Sequence, residues 1–119
     1  MKYLFLLNSV RDGMPPAGTP ESDALYEEWN EATDAMKAAG VLIDCAPLHA
    51  QSASTTVRVR EGETILTDGP AAEIKEHLGG YALVECADLD EALRWAASVP
   101  AARKASVVVR PIVTVQEPA

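Results

Sequence analysis

KYLFLLN, residues 2–8, is the stretch whose reading decides the fold. Apolar side chains fill both of its alternating sets, Tyr3, Phe5 and Leu7 on one and Leu4 and Leu6 on the other. Successive side chains of a strand point to opposite faces, so a strand apolar on both faces is covered on both. GYALVEC at 80–86 and SVVVRPIVTV at 106–115 read the same way. VLIDCAPL at 41–48 is a further strand, and TTVRVR at 55–60 turns at Glu61-Gly62 into TILT at 64–67 as a hairpin.

Two helical patterns separate these strands. Thr19 is placed as an N-cap, with Pro20 in the first helical position and acidic Glu21 and Asp23 in the first turn. Leu25, Trp29, Ala32, Met36 and Ala39 then recur at helical spacing, and Gly40 supplies the stop. In the second pattern Asp88 is the N-cap, with Glu91 three residues on as its capping-box partner. Leu89, Ala92, Leu93 and Ala96 form its apolar stripe, and Pro100 ends it.

The element order predicts one α+β domain over residues 1–119, a ferredoxin-like sandwich of a mostly antiparallel sheet with two helices on one face. Two helices shield one face only. The other would leave an apolar patch larger than the roughly 300–600 Å² usual for a monomer. A second copy packed sheet against sheet about a two-fold axis removes it, so a homodimer is expected. A cleft between two such sheets, open at its ends, suits a small-molecule ligand.

Composition narrows the partners. Apolar residues make up 48% of the chain and charged residues 24%, which favours a folded domain over disorder. The net charge of −8 argues against nucleic acid and anionic membrane, both of which require a basic footprint. YLFLL is far too short for a membrane span, and Asn8, Arg11 and Asp12 follow where the apolar core of a signal peptide would continue. Cys45 and Cys86 stand alone, without CxxC or Cys/His spacing, so a reducing cytoplasm is the expected location. HExxH, GxGxxG and GxSxG motifs are absent, and no metal or cofactor is expected.

The chemistry concentrates in TILTDGPAAEIKEHLGGYALVEC, residues 64–86, which holds Asp68, Glu73, Lys75, Glu76 and His77 within ten residues. Asp68-Gly69-Pro70 is a turn signature in its own right, and it also follows a strand, where site residues gather. If AAEIKEHL is helical, Glu73 and His77 share a face, an acid/base pair or an ordinary exposed i,i+4 pair. Asp68, Glu73 and His77 are the candidate catalytic residues. Arg58 and Lys75 are the candidate ligand-binding cations, with Arg58 and Arg60 either a surface row or a pair that holds an anion. Lys75 and Glu76 point away from the Glu73/His77 face, toward solvent, and Gly79-Gly80 reads as backbone freedom for a tight entry into the strand.

TDGPAAEIKEHLGGYALVE, followed by DLDEALRWAASVP and VVVRPI, resembles the YCII-related proteins of the DGPF type. The likeness extends through MKYLFLL, AAGVLIDCAPL and TTVRVREGE and so covers nearly the whole chain. It implies the ferredoxin-like fold and the dimeric α/β-barrel assembly. That superfamily includes lactone isomerases, small monooxygenases and haem enzymes, so the fold alone assigns no reaction. Ala71 stands where the family's name has Phe. Relatives of the other YCII branch are thought to use a His–Asp pair with the His on the first helix; helix one here carries no His, and that pair is not carried over. Two functions are therefore expected. One is a cofactor-independent isomerase- or lyase-type enzyme acting on a small polar organic acid. The other is a non-catalytic ligand-binding or regulatory module, since DGPF-type proteins are described as neighbours of sigma-factor genes.

Overall fold

In the computed structural model, residues 1–70 and 76–114 are described. β1 (Lys2–Ser9), α1 (Pro20–Ala38), β2 (Leu42–Pro47), β3 (Thr55–Arg60), β4 (Glu63–Asp68), β5 (His77–Glu85), α2 (Leu89–Ser98), α3 (Pro100–Lys104) and β6 (Val107–Pro111) follow in chain order. β1, β2, β5 and β6 form one antiparallel sheet in the order β2-β5-β1-β6. This is the interleaved pair of βαβ units of the ferredoxin-like α+β sandwich. The last strand is shorter than expected, ending at Pro111, and Pro100 starts a third short helix instead of only ending the second.

The ends of α1 form as their residues dictate. Thr19 Oγ1 accepts the Ser22 amide at 3.2 Å, and Pro20 occupies the first turn. At the other end Val41 N–H bonds Met36 C=O and Gly40 N–H bonds Lys37 C=O, both at 3.0 Å. That is a Schellman closure, and Gly40 takes the left-handed conformation it requires at φ +75°. Asp88 caps α2 by accepting the Glu91 amide at 2.9 Å, while the Glu91 carboxylate reaches back to the Ala87 amide at 2.8 Å. Asp88→Ala should therefore lower stability by about 1 kcal/mol, and Asp88→Asn should lower it far less. Thermal unfolding of the pair checks this; equal melting of the alanine variant and wild type would contradict the cap.

The core lies between the sheet and the helices. Tyr3, Phe5 and Leu7 of β1, Ala82 and Val84 of β5, Met36 of α1, Ala92 and Ala96 of α2 and Val99 form one buried cluster. Leu4 and Leu6 point the other way and are half-buried, with no helix over them. The same alternation splits β6: Val107 and Val109 pack against the core, whereas Val108 is 43% exposed. Leu6 lies opposite Tyr81 on one side and Val108 on the other, and Leu4 lies opposite Leu83. The outer sheet face thus carries an apolar row along its middle, with Arg110 opposite Leu4 and Asp44 opposite Leu83 at its sides.

β3 and β4 form a separate two-stranded sheet, not an extension of the main one. Their turn, Glu61-Gly62, has positive φ at both residues (52° and 77°), the type I′ geometry that matches strand twist. Val57, Val59 and Leu66 share one hairpin face and are 60%, 59% and 66% exposed. The hairpin packs on almost nothing but itself. Accordingly the Cα radius of gyration is 16.4 Å, against roughly 13–14 Å for a compact chain of this length.

Candidate functional site

The site forms where β1 and β5 end. Their ladder runs in register from Lys2–Glu85 to Leu7–Gly80, then slips by one residue, so that Asn8 faces Leu78 and Ser9 faces His77. The extra residue is Gly79, whose carbonyl is left to accept the Leu48 amide at 2.8 Å. A bulge re-aims the side chains that follow it. Gly80 is required for a different reason: a Cβ there would sit 2.8 Å from the Ala46 carbonyl oxygen of β2. Gly79-Gly80, expected to permit a tight entry into the strand, instead lies within β5, which begins at His77.

His77 is consequently a strand residue and not part of a helical turn. Glu73 and Lys75 lie outside the described residues. The side chains that meet His77 come from elsewhere in the chain. Its Nδ1 is 3.1 Å from Gln51 Oε1 and 3.7 Å from Asp12 Oδ1. Asp12 Oδ1 also accepts the Gln51 amide at 2.6 Å, which ties the loop after β1 to the short 3-10 turn Gln51–Ala53. Both oxygens facing Nδ1 are acceptors, so the contact suits the tautomer with N–H at Nδ1. His77 and Asp12 are about one-quarter and one-third exposed, at 27% and 34%.

Glu76 is half-buried instead of facing solvent. Its Oε2 accepts the Ser106 hydroxyl at 2.6 Å, and Ser106 Oγ accepts from Asn8 Nδ2 at 3.2 Å. Glu76 therefore ties β6 to the end of β1. Asp68 is exposed at the base of the hairpin, opposite Thr55, and makes no side-chain hydrogen bond with another described residue. The next residue holds the hairpin base: Gly69 N–H bonds Ser54 C=O at 2.7 Å, and Gly69 C=O accepts the Thr56 hydroxyl at 2.7 Å. Arg58 is half-buried on the hairpin face that also carries Thr56 and Arg60.

A cleft opens beside this cluster in two lobes. The larger, about 480 Å³, is walled by Leu7, Met14, Leu25, Trp29, Leu48 and Ala101. The second, about 410 Å³, carries the polar groups Asp12, Ser22 and His49. Gly13, Met14, Tyr26, Pro47 and Leu48 line both lobes, so the two adjoin. Gly13 lets the loop after β1 close onto the segment after β2, since a Cβ there would meet Ala50 Cβ at 2.9 Å. Two ion pairs stand at the rim of the larger lobe, Arg11–Glu21 at 3.0 Å and Lys104–Glu28 at 2.8 Å. The Lys104 hydrogen bond, with its charge, holds the Glu28 carboxyl below its ordinary range.

Neither thiol serves as an activated nucleophile. Burial pushes the Cys45 and Cys86 thiols up, away from the thiolate. Among the described residues no group of three or more His, Cys, Asp or Glu is gathered as a metal site, and no helix is long and apolar enough to cross a membrane.

Asp12 and Gln51 are the residues that sequence reasoning missed. Asp12 lies 65 positions before His77 in a loop rich in Gly and Pro, with no spacing to suggest the pairing. The only available signal is its place just after a central strand, where ligand sites gather.

The chain is thus a ferredoxin-like α+β domain in which Asp12 lines the second lobe of the cleft, while its partner His77 lines neither lobe. The chain belongs to the YCII-related domain family, whose model spans residues 1–116. It is also 46% identical over 76 residues to an uncharacterized protein of Rhizobium meliloti (strain 1021). That overlap takes in 62% of this chain and 61% of the relative's length.

Proposed function

We propose that the protein is a cofactor-independent acid/base enzyme acting on a small organic molecule, with His77 as the base. The observation that carries this reading is the His77–Asp12–Gln51 contact. Gln51 fixes the imidazole tautomer. Nε2 then takes a proton from the substrate, and the Asp12 carboxylate, 3.7 Å from Nδ1, stabilises the imidazolium that forms. Return of that proton to a neighbouring atom gives an isomerase; departure of a leaving group gives a lyase. A positioned acid/base group of this kind contributes typically 10²–10⁴-fold to rate. Asp68, Glu73, Arg58 and Lys75 belong to this reading as groups that bind or orient the ligand from the hairpin base and the segment before β5.

The test is proton exchange. A pool of small carbonyl compounds in D2O is followed by proton NMR with wild type, His77→Gln and Asp12→Asn. Wild type should exchange α-protons of at least one compound, His77→Gln should slow that exchange by roughly 10²-fold or more, and Asp12→Asn by less. Exchange that is unchanged in His77→Gln would sink the assignment. The apolar character of the larger lobe favours the second reading, a non-catalytic binding module; ligand uptake without exchange would decide for it.

We also propose that the outer sheet face pairs with a second copy. The support is its uncovered row of Leu4, Leu6, Leu83, Tyr81 and Val108, apolar except for the Tyr81 hydroxyl, which donates to Asp44 Oδ2 at 2.9 Å. A four-stranded sheet of this length presents on the order of 400–500 Å² in projection. Stable interfaces bury about 800 Å² per partner, so rim residues beyond the sheet must join the contact.

A further inference from the structure

The lining of the cleft has a charge pattern that bears on what it holds. Arg11 and Lys104 are its cations, and each is already bonded to a carboxylate of the same rim, Glu21 and Glu28. Asp12 adds a third carboxylate in the second lobe. Arg58, the cation expected to receive an acid, does not line either lobe. Among the described residues an anionic ligand would therefore meet no free cation and an excess of one negative charge. It would have to break an existing ion pair or stay unpaired in a partly desolvated place, and either costs free energy. The walls behind the rim are apolar, and Trp29 and Tyr26 offer ring faces. The lobe is within the size range that encloses a small-molecule ligand.

We propose that the larger lobe seats an uncharged, ring-sized apolar group, and that the ligand's single polar end lies in the second lobe near Asp12. This deepens the acid/base reading by naming the class of its substrate, a neutral carbonyl or hydroxyl compound on an apolar ring and not an organic acid. It rests on that reading only for where the polar end sits. The polar end is placed on the Asp12 side because the two lobes adjoin along Met14, Tyr26 and Leu48.

An isosteric probe pair tests this directly. 2-Naphthamide and 2-naphthoate have the same ring and nearly the same head, and differ in charge. Calorimetric titration of the full chain should show the amide binding at least tenfold tighter than the carboxylate. Equal affinity, a preference for the carboxylate, or no binding of the amide up to its solubility would overturn the proposal. Leu48→Trp should fill the junction of the lobes and weaken the amide at least tenfold, with melting close to wild type because Leu48 is 37% exposed. Amide binding that survives Leu48→Trp, in a variant shown to fold by circular dichroism, counts against the cleft as the seat. His77→Gln should bind the amide as wild type does. Amide binding retained in His77→Gln, with no proton exchange by wild type, leaves the ligand class standing while the acid/base reading falls. Exchange by wild type with no amide preference does the reverse.

Discussion

Phe5→Ala is expected to lower the unfolding free energy by about 3–5 kcal/mol, the largest single-residue effect on stability in this chain. Phe5 sits in the middle of β1, opposite Ala82 on one side and Val109 on the other, and is fully buried. Its neighbours across the layer belong to helices already tied at both ends, so the space vacated by the ring cannot collapse freely. The cost then includes a cavity as well as lost transfer free energy. Domains have only about 5–15 kcal/mol in total, so the variant should sit near its folding threshold. Urea unfolding gives the measure. A shift below about 1 kcal/mol would mean that β1 does not pack its Phe5 face against the helices.

Leu6→Glu, one residue further, should do something different. It should leave the protomer folded and break the proposed assembly. Leu6 faces away from the helices, between Tyr81 and Val108. In the proposed dimer a two-fold axis applies the change twice, so two unpaired carboxylates enter one apolar interface. An uncompensated buried charge costs on the order of 3–5 kcal/mol, which corresponds to two or more orders of magnitude in dissociation constant. Light scattering should find wild type at twice the 12.7 kDa chain mass and the variant at 12.7 kDa, both with a cooperative melt. A wild type at 12.7 kDa in the micromolar range, or a variant that stays paired, would defeat the sheet-face dimer. Val109→Glu provides the contrast. It places the charge on the inner face, against Phe5, and should unfold the chain instead of dissociating it.

That contrast shows how far local sequence reaches. Alternation reports that β1 and β6 are apolar on both sides, but not which side receives helices. Leu6 and Val109 look equivalent in the sequence, and their opposite fates depend on how α1 and α2 cross the sheet. Caps are legible because their chemistry is local. Thr19, Gly40 and Asp88 satisfy backbone groups within a turn of themselves. Gly80 is not legible in this way, because the carbonyl it approaches, on Ala46, belongs to a strand more than thirty residues away.

The candidate site was legible only in part. A dense run of charges drew attention to residues 68–77, and His77 does occupy a built position. Its partners could not be found by spacing, because they reach it through the fold. Helical spacing pointed to Glu73, which lies outside the described residues, whereas His77 itself opens β5.

By itself, the sequence determined the α+β class, the strands apolar on both sides, the helix ends and the place of the hairpin turn. All of these follow from side-chain period and from backbone groups satisfied over a few residues. Tertiary structure alone decided which sheet face is bare, that the hairpin stands as its own sheet, and that Asp12 and Gln51 meet His77. Those outcomes depend on pairing register and on contacts between residues 26 to 65 positions apart, whose closure no local propensity encodes.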